Sequence, residues 1–400
     1  MTELEKQLKV IQKNTVEILP KKELVEKLKI SLKKKRPLRI KYGIDPTGAE
    51  IHLGHTIPIR KLKDFQDLGH KIIFLVGDFT AMIGDPTGRI ETRPLLSPEE
   101  IERNLQTYQE QAGKLLDLRK TEFVRNSSWL EKLNLKEVIK LTSSFTAAQM
   151  LERKDFRQRY QDGLSPSLQE FIYPLMQGYD SVALKSDVEV GATEQKFNLL
   201  AGRTVQEAFG MKKQVVITMP ILEGTDGKRK MSKSFHNYIG INEKPEEIYG
   251  KLMSIPDALM EKYFSLLTEF SGEEISKLLK QPFLAKKRLA SSIVQTYCGK
   301  KEAEKAEKHF ETIFQKKKIP LKIPVFRLKK EEVKKGKIWI IRLLDLARLV
   351  SSHNEARRLL RQKAISLDGE IITSPDLEIK IKEGSVIKVG KRRFVKVKVI

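Results

Sequence analysis

The chain of 400 residues carries 76 Lys and Arg against 52 Asp and Glu, a formal charge of +24, with 40% hydrophobic residues and a single cysteine, Cys298. Such a composition is globular, allows two or three domains around a sizeable core, and excludes an internal disulfide framework. The charge favours a polyanionic partner, nucleic acid ahead of a membrane surface, because no apolar run nears spanning length; MTELEKQLKV also lacks the apolar centre of a secretory signal, so a cytoplasmic location is expected.

Residues 1–37 read as an amphipathic helical lead-in that closes on a basic run at 33–36. Residues 38–44, LRIKYGI, have strand character, and residues 56–68 place Ile57, Leu62, Phe65 and Leu68 at helical spacing. Between them runs GIDPTGAEIHLGH. A strand that passes through a Pro/Gly loop into a helix start gathers free backbone N–H groups and the positive end of the helix dipole, which makes an anion site. Gly54 lets a flat ring or phosphate approach its backbone, and His52 and His55 share one helix face. A zinc site fits less well, since metalloprotease histidines stand four apart with a Glu between, and no protein-bound structural metal is expected.

Residues 71–78, KIIFLVGD, form a continuous apolar strand of the buried parallel type. The loop GDPTGR after it offers the Asp85 carboxylate and, with Arg93 beyond, the cations Arg89 and Arg93, although Asp-Pro and Thr-Gly also mark plain turns. Ser97-Pro98-Glu99-Glu100 is a capping box that opens a helix to about Leu116. Strands follow at 121–125, 188–191 and 214–218, with helices between. Alternation of this kind builds a parallel α/β sheet, whose ligands sit at the carboxyl ends of the strands. The loop 223–234, EGTDGKRKMSKS, is mobile through Gly224 and Gly227 and cationic through Lys228, Arg229, Lys230 and Lys233. On charge alone it is a basic surface loop.

The texture then turns helical. Pro245-Glu246-Glu247 starts one helix, Ser271-Gly272-Glu273-Glu274 is a second capping box, and 283–297 and 301–314 keep helical period, with Lys286, Lys287 and Arg288 on the way. Residues 316–337 hold two prolines and many lysines without a period and read as a linker. Residues 339–400 carry 14 Lys and Arg against 7 Asp and Glu. Ser352–Glu355 is a capping box whose helix sets Arg357, Arg358 and Arg361 on one side and Ala356, Leu359 and Leu360 toward a core. Asp368-Gly369 is a tight hairpin turn, 385–399 alternates like strands, and Lys391, Arg392 and Arg393 make a basic hairpin. Arginines on one helix face beside such a hairpin suit an RNA backbone.

HLGH followed about 175 residues later by KMSKS resembles the paired signature of class I aminoacyl-tRNA synthetases. YGIDPT, FTAMIGDPTGR and YPLMQGYD extend the resemblance to the bacterial tyrosyl enzymes whose first signature reads HLGH. The resemblance implies a Rossmann-like parallel-sheet catalytic domain (1–234), an α-helical anticodon-arm domain (235–320), a linker (321–338) and a small α+β RNA-binding domain (339–400) like one first described in a small-subunit ribosomal protein. It implies activation of tyrosine by ATP with Mg²⁺, transfer to the 3′ end of tRNA(Tyr), and a homodimer without membrane contact. In that scheme Thr47, His52 and His55 donate to the phosphates, and Lys230 and Lys233 hold the departing pyrophosphate. Asp45, Gly54, Gly191, Glu194 and Gln195 border ATP. Tyr173, Gln177 and Asp85 take the α-ammonium, Thr80 lies in the tyrosine pocket, Asp180 accepts from the phenol, and Arg89 and Arg93 meet tRNA.

The chain departs from the family at Lys41, where many tyrosyl enzymes carry a second Tyr for the phenol; Lys41 is expected instead to tune the charge of Asp180. Gly191-Ala192-Thr193-Glu194-Gln195 also departs from the usual Gly-Gly-(Ser/Thr)-Asp-Gln, by one methyl and one methylene. A small-molecule adenylyltransferase shares the histidine logic but needs no RNA-binding tail. An RNA-binding protein with a retired catalytic domain explains the tail but not the intact histidines and lysines. The tryptophanyl enzymes are the nearest neighbours, since a carboxylate also accepts from an indole N–H.

Overall fold

The computed structural model describes residues 1–46, 48, 50–86, 97–164, 166–315, 324–333, 337–382, 384–390 and 393–399, in two compact units, Met1–Glu304 and Lys305–Ile400. Among the described residues six strands cross the first unit: β1 (Glu17–Leu19), β2 (Arg39–Ile44), β3 (Lys71–Val76), β4 (Thr121–Arg125), β5 (Val188–Ala192) and β6 (Val215–Met219). Their order is β1-β6-β5-β2-β3-β4; β2 to β6 are all parallel, and β1 lies antiparallel on β6 with Glu17 opposite Thr218. β3 and β6 are short, β-branched and buried along nearly their whole length, as strands covered on both faces must be.

The chain runs β2, β3, β4 to one side and then returns to lay β5 and β6 on the other. The strand order therefore reverses between β2 and β5, and the crevice outside their carboxyl ends is where such a sheet binds ligands. Three helices wall that crevice. Leu53–Asp67 follows β2, Leu168–Ala183 precedes β5, and Lys196–Ala208 follows β5 and packs along Leu168–Ala183. The helices Pro245–Met253, Met260–Leu267, Gly272–Leu279 and Pro282–Cys298 belong to the same unit, with Met260–Leu267 resting on Leu53–Asp67. No helix among the described residues is long and apolar enough to cross a membrane.

The lead-in is two helices, Glu3–Gln12 and Lys21–Lys34, split by the edge strand β1, a three-residue element inside a stretch that sequence periodicity assigns to helix. In the second unit, part of the expected linker is strand: Val325–Leu328 pairs parallel with Arg393–Val399 at the edge of a five-stranded sheet, and Lys337–Trp339 pairs with Glu378–Lys380. That unit buries Ile340, Leu344, Leu360, Ile387, Val389 and Val397 in a core of its own. The hairpin Ile365–Leu367 to Glu370–Ile372 turns on Asp368 and Gly369 at φ +51° and +94°, as a primed two-residue turn requires.

Candidate active site

The crevice holds a cleft of about 330 Å³. Its floor is the end of β2, one wall is the start of Leu53–Asp67, the opposite wall is Leu168–Ala183 with the end of β5, and its mouth is the loop carrying KMSKS. Of the residues expected around ATP, it brings together Asp45, His52, Gly54, His55, Gly191, Glu194, Gln195, Lys230 and Lys233. Of those expected around tyrosine, it brings together Thr80, Asp85, Tyr173, Gln177 and Asp180. Thr47, Arg89, Arg93, Lys391 and Arg392 lie outside the described residues.

His52 caps the helix and His55 stands at its third position; their rings stack at 3.7 Å and 20°. The His52 backbone N–H points at His55 Nδ1 across a long 3.5 Å, which assigns the His55 proton to Nε2. Burial pushes both rings down, His52 well below its usual range and His55 to about 3, with the Lys233 charge adding to each. Both are thus neutral at pH 7 and able to donate one N–H apiece. His52 Nδ1 is buried without a partner, an open valence that a ligand can fill. A Cβ on Gly54 would crowd the His52 ring at 3.1 Å.

The KMSKS loop is tied to this helix start. Leu53 N–H donates to Ile239 O and Ile241 N–H to Ile51 O, so the segment after the loop pairs with the segment before the helix. At the loop's base Met231 N–H donates to Leu222 O (2.8 Å), and the buried Asn237 amide gives hydrogen bonds to Lys230 O and Asp226 while accepting from Ser232 N–H. Asp226 also caps the Lys228 and Arg229 N–H groups, and these donors hold its carboxyl down at about 2. Lys230 Nζ reaches Glu194 at 2.7 Å, and the Lys233 ammonium lies 2.8 Å from where a Cβ on Gly48 would sit. Histidine donors and lysine cations thus meet across one gap.

The deeper half is a polar chain among apolar walls. Tyr173 Oη donates to Asp45 Oδ2 and Thr80 Oγ1 to Asp45 Oδ1, both at 2.8 Å. Burial and the neighbouring Asp45 drive the Tyr173 hydroxyl up, so it stays a proton donor. Asn126 bridges from Thr80 (3.1 Å) to Asp180 (3.3 Å), and the Trp129 indole N–H donates to Asp180 at 2.8 Å. Asp180 is 1% exposed, and burial raises its carboxyl to about 7 against the opposing pull of Lys41, Trp129 and Asn126. Gln195 Nε2 donates to Asp85 at 2.6 Å. Tyr179, by contrast, packs edge-on against Phe209 and serves the core.

Lys41 lies beneath the cleft rather than in it, and its charge lowers the Asp180 carboxyl as expected. It is wholly buried and pairs directly with Glu189 at 2.9 Å rather than with Asp180. Asn126, Trp129, Glu189 and Asn237 escape sequence reasoning; their partners lie 5 to 148 residues away and leave no local pattern. In the second unit Arg357, Arg358 and Arg361 are exposed on His353–Arg361, whereas Arg393 is engaged with Glu355 (3.0 Å) and Leu349 O. Ser352 caps that helix, but Glu355 turns to Ser351 instead of closing the box. Lys286 pairs with Asp257, and Arg288 lies over Phe270. Among the described residues no group of three His, Cys, Asp or Glu is placed to hold a metal.

A family model for class I tRNA synthetases (W and Y) matches residues 33–315. The tyrosine–tRNA ligase of Carboxydothermus hydrogenoformans is 51% identical over 99% of this chain and 98% of its own length, and that of Thermotoga maritima 46% over 98% and 97%. Among solved structures, the Archaeoglobus fulgidus tyrosyl-tRNA synthetase complexed with L-tyrosine superposes with a TM-score of 0.60 at 24% identity, covering 76% of this chain and 99% of that one. At that identity the likeness speaks for the fold.

Proposed function

The chain belongs to the class I tRNA synthetases, in their tyrosine–tRNA ligase branch, and from that premise we propose how its own residues divide the reaction. The carrying observation is the convergence, on one cleft, of two neutral imidazoles, two lysines and a buried carboxylate. The first step is an in-line displacement at the α-phosphorus of ATP by the tyrosine carboxylate, with pyrophosphate leaving. No covalent bond to the protein is needed, so catalysis rests on positioning and on stabilising phosphate charge. His52 and His55 donate to the phosphates. Lys230 and Lys233 neutralise the leaving pyrophosphate, and Mg²⁺ arrives with ATP as part of the substrate. Gly54 and the Gly191–Gln195 turn border the nucleotide, and Thr47 joins the phosphate donors.

At the other end Asp180 accepts the phenol O–H, and Tyr173, Gln177 and Asp85 receive the ammonium, with Asp45 and Thr80 holding Tyr173 in place. The tyrosyl group then passes to a ribose hydroxyl at the 3′ end of tRNA(Tyr). The helices after KMSKS reach toward the anticodon arm, and Arg89, Arg93, Arg357, Arg358, Arg361, Lys391 and Arg392 provide phosphate contacts; Arg393 joins them only after leaving Glu355. We place the reaction in the cytoplasm, which suits a lone free thiol at Cys298.

Amino-acid-dependent ATP–pyrophosphate exchange with tyrosine, tryptophan and phenylalanine in parallel tests this division, and tyrosine alone should support it. A chain lacking residues 316–400 should keep that exchange while tRNA charging falls, in a salt-dependent way. Equal loss of both would make the second unit a structural prop.

We infer also that two copies pair. Leu135, Ile139 and Leu168 are 74%, 59% and 79% exposed on helices that pack together, Leu135–Thr142 and Leu168–Ala183, an apolar surface of the kind that marks an interface. A solution mass near twice 46.0 kDa, returned to the monomer value by Leu168→Glu, is the expected result.

A further inference from the structure

Lys41 and Glu189 are register partners on β2 and β5, the two parallel strands between which the sheet order reverses. Both are buried, at 0% and 1% exposure of the side chain. The Lys41 ammonium donates to Glu189 Oε1 (2.9 Å), Ser181 Oγ (2.7 Å) and the Gln177 backbone carbonyl (3.0 Å). The Glu189 carboxylate accepts from Ser181 Oγ (3.2 Å), from the Gln214 amide, and from Gln177 Nε2 (3.1 Å). Room for this cluster depends on Gly202, where a Cβ would stand 2.4 Å from the Gln214 amide nitrogen and 3.2 Å from Glu189.

A side-chain amide has one donor end and one acceptor end, and an ionised carboxylate can only accept. Glu189 therefore captures the NH₂ of Gln177 and leaves its carbonyl oxygen as the end available to the cleft, which both residues line. A free glutamine can flip its amide and present the NH₂, which would repel an ammonium. We propose that the Lys41–Glu189 pair is a positioning device that locks the Gln177 amide in the orientation that accepts a cation, and so sets the pocket's demand for the α-ammonium of its amino acid. This rests on the assignment of Gln177 to the ammonium given above. Lys41 belongs to the device by geometry: its ammonium meets Glu189 Oε1, the same oxygen that accepts from Gln177 Nε2, and so fixes the carboxylate against which the amide is oriented. Replacing a buried ion pair by apolar groups is often neutral for stability, whereas removing one member is not, so a double replacement is the variant that tests orientation apart from stability.

Tyramine and 4-ethylphenol differ only in the ammonium and isolate it as the probe. The wild-type chain should bind tyramine much more tightly than 4-ethylphenol by calorimetry. Lys41→Met/Glu189→Leu, which removes both charges together, should lose about 10-fold to 100-fold in the ratio of tyramine to 4-ethylphenol affinity, since any change at Asp180 falls on the phenol of both probes alike, with the KM for ATP unchanged. Lys41→Met/Glu189→Gln keeps the bulk but offers Gln177 a donor as well as an acceptor, so it should lose a smaller part of the same ratio, and it answers the question if the leucine variant fails to fold. Equal loss for the two probes, or tyramine affinity that survives both double variants, would overturn the proposal. A wild-type chain that binds the two probes equally would instead overturn the assignment of Gln177 itself.

Discussion

Lys233→Ala should lower kcat for tyrosine-dependent exchange by about 100-fold, some 3 kcal/mol, while leaving the KM for tyrosine nearly unchanged. Lys233 lines the cleft opposite the stacked histidines, and its charge already reaches both rings. Phosphate charge grows on the leaving pyrophosphate only as the α-phosphorus bond breaks, so a cation placed there helps the transition state more than the ground state. Lys228 tests whether position rather than loop charge matters. It is exposed on the same loop and does not line the cleft, and Lys228→Ala should leave the rate alone. A similar fall in both variants would show that the loop acts through its overall field. Because His52 and His55 are held neutral by burial, neither should add a step to the pH profile of kcat between 5 and 8.

The second large effect is expected at Asp180. Asp180→Ala should collapse the preference for tyrosine over phenylalanine, because on the proposed assignment phenylalanine brings no O–H to the buried carboxyl, which Asn126 and Trp129 alone satisfy only in part. A tyrosyl-tRNA synthetase is itself the standard case of this discrimination, at about 10⁵-fold, a magnitude adopted from that case. Relative kcat/KM for the two amino acids is the measurement, and an unchanged ratio would remove Asp180 from the role. The pH dependence follows from its environment. With its carboxyl raised to about 7, Asp180 is largely protonated in the empty pocket below that pH, while the phenol of tyrosine keeps its proton to about 10. The phenol donates better to the ionised form, so tyrosine affinity should rise as pH climbs through about 7 and level off above it. Asp180→Asn should abolish that rise. The same residue makes the empty fold lose stability between the ordinary carboxyl value of 3.8 and about 7, since the unfolded chain releases the proton first.

Much of this architecture is legible along the chain because it rests on local rules. The helix after HLGH, the capping boxes at Ser97 and Ser271, and the hairpin at Asp368-Gly369 all form where spacing and turn chemistry place them. The parallel strands show as apolar runs. β1 does not, because three residues on a sheet edge carry no period of their own, and Val325–Leu328 is hidden by the lysines and prolines around it. At the site, the signatures locate the phosphate end, while the polar network under the pocket is invisible: Asn126 looks like any turn residue until Thr80 and Asp180 are brought to its two sides. Lys41 illustrates the limit most sharply. Its partner sits 148 positions away and becomes its neighbour only through the reversal of strand order.

The Glu194–Lys230 contact at the mouth of the cleft has a consequence for selectivity among anions. The Glu194 carboxylate holds Lys230 at 2.7 Å, and on the assignment proposed above a phosphate oxygen must take its place. A small anion that reaches Lys230 alone must displace that carboxylate and gains little. A triphosphate reaches Lys230, Lys233 and the imidazoles together, so a single displacement is spread over several new contacts. The extra methylene of Glu194 gives the carboxylate the reach to meet Lys230, and in a chain with a charge of +24 the pair lowers the pull of Lys230 on small anions that make no other contact.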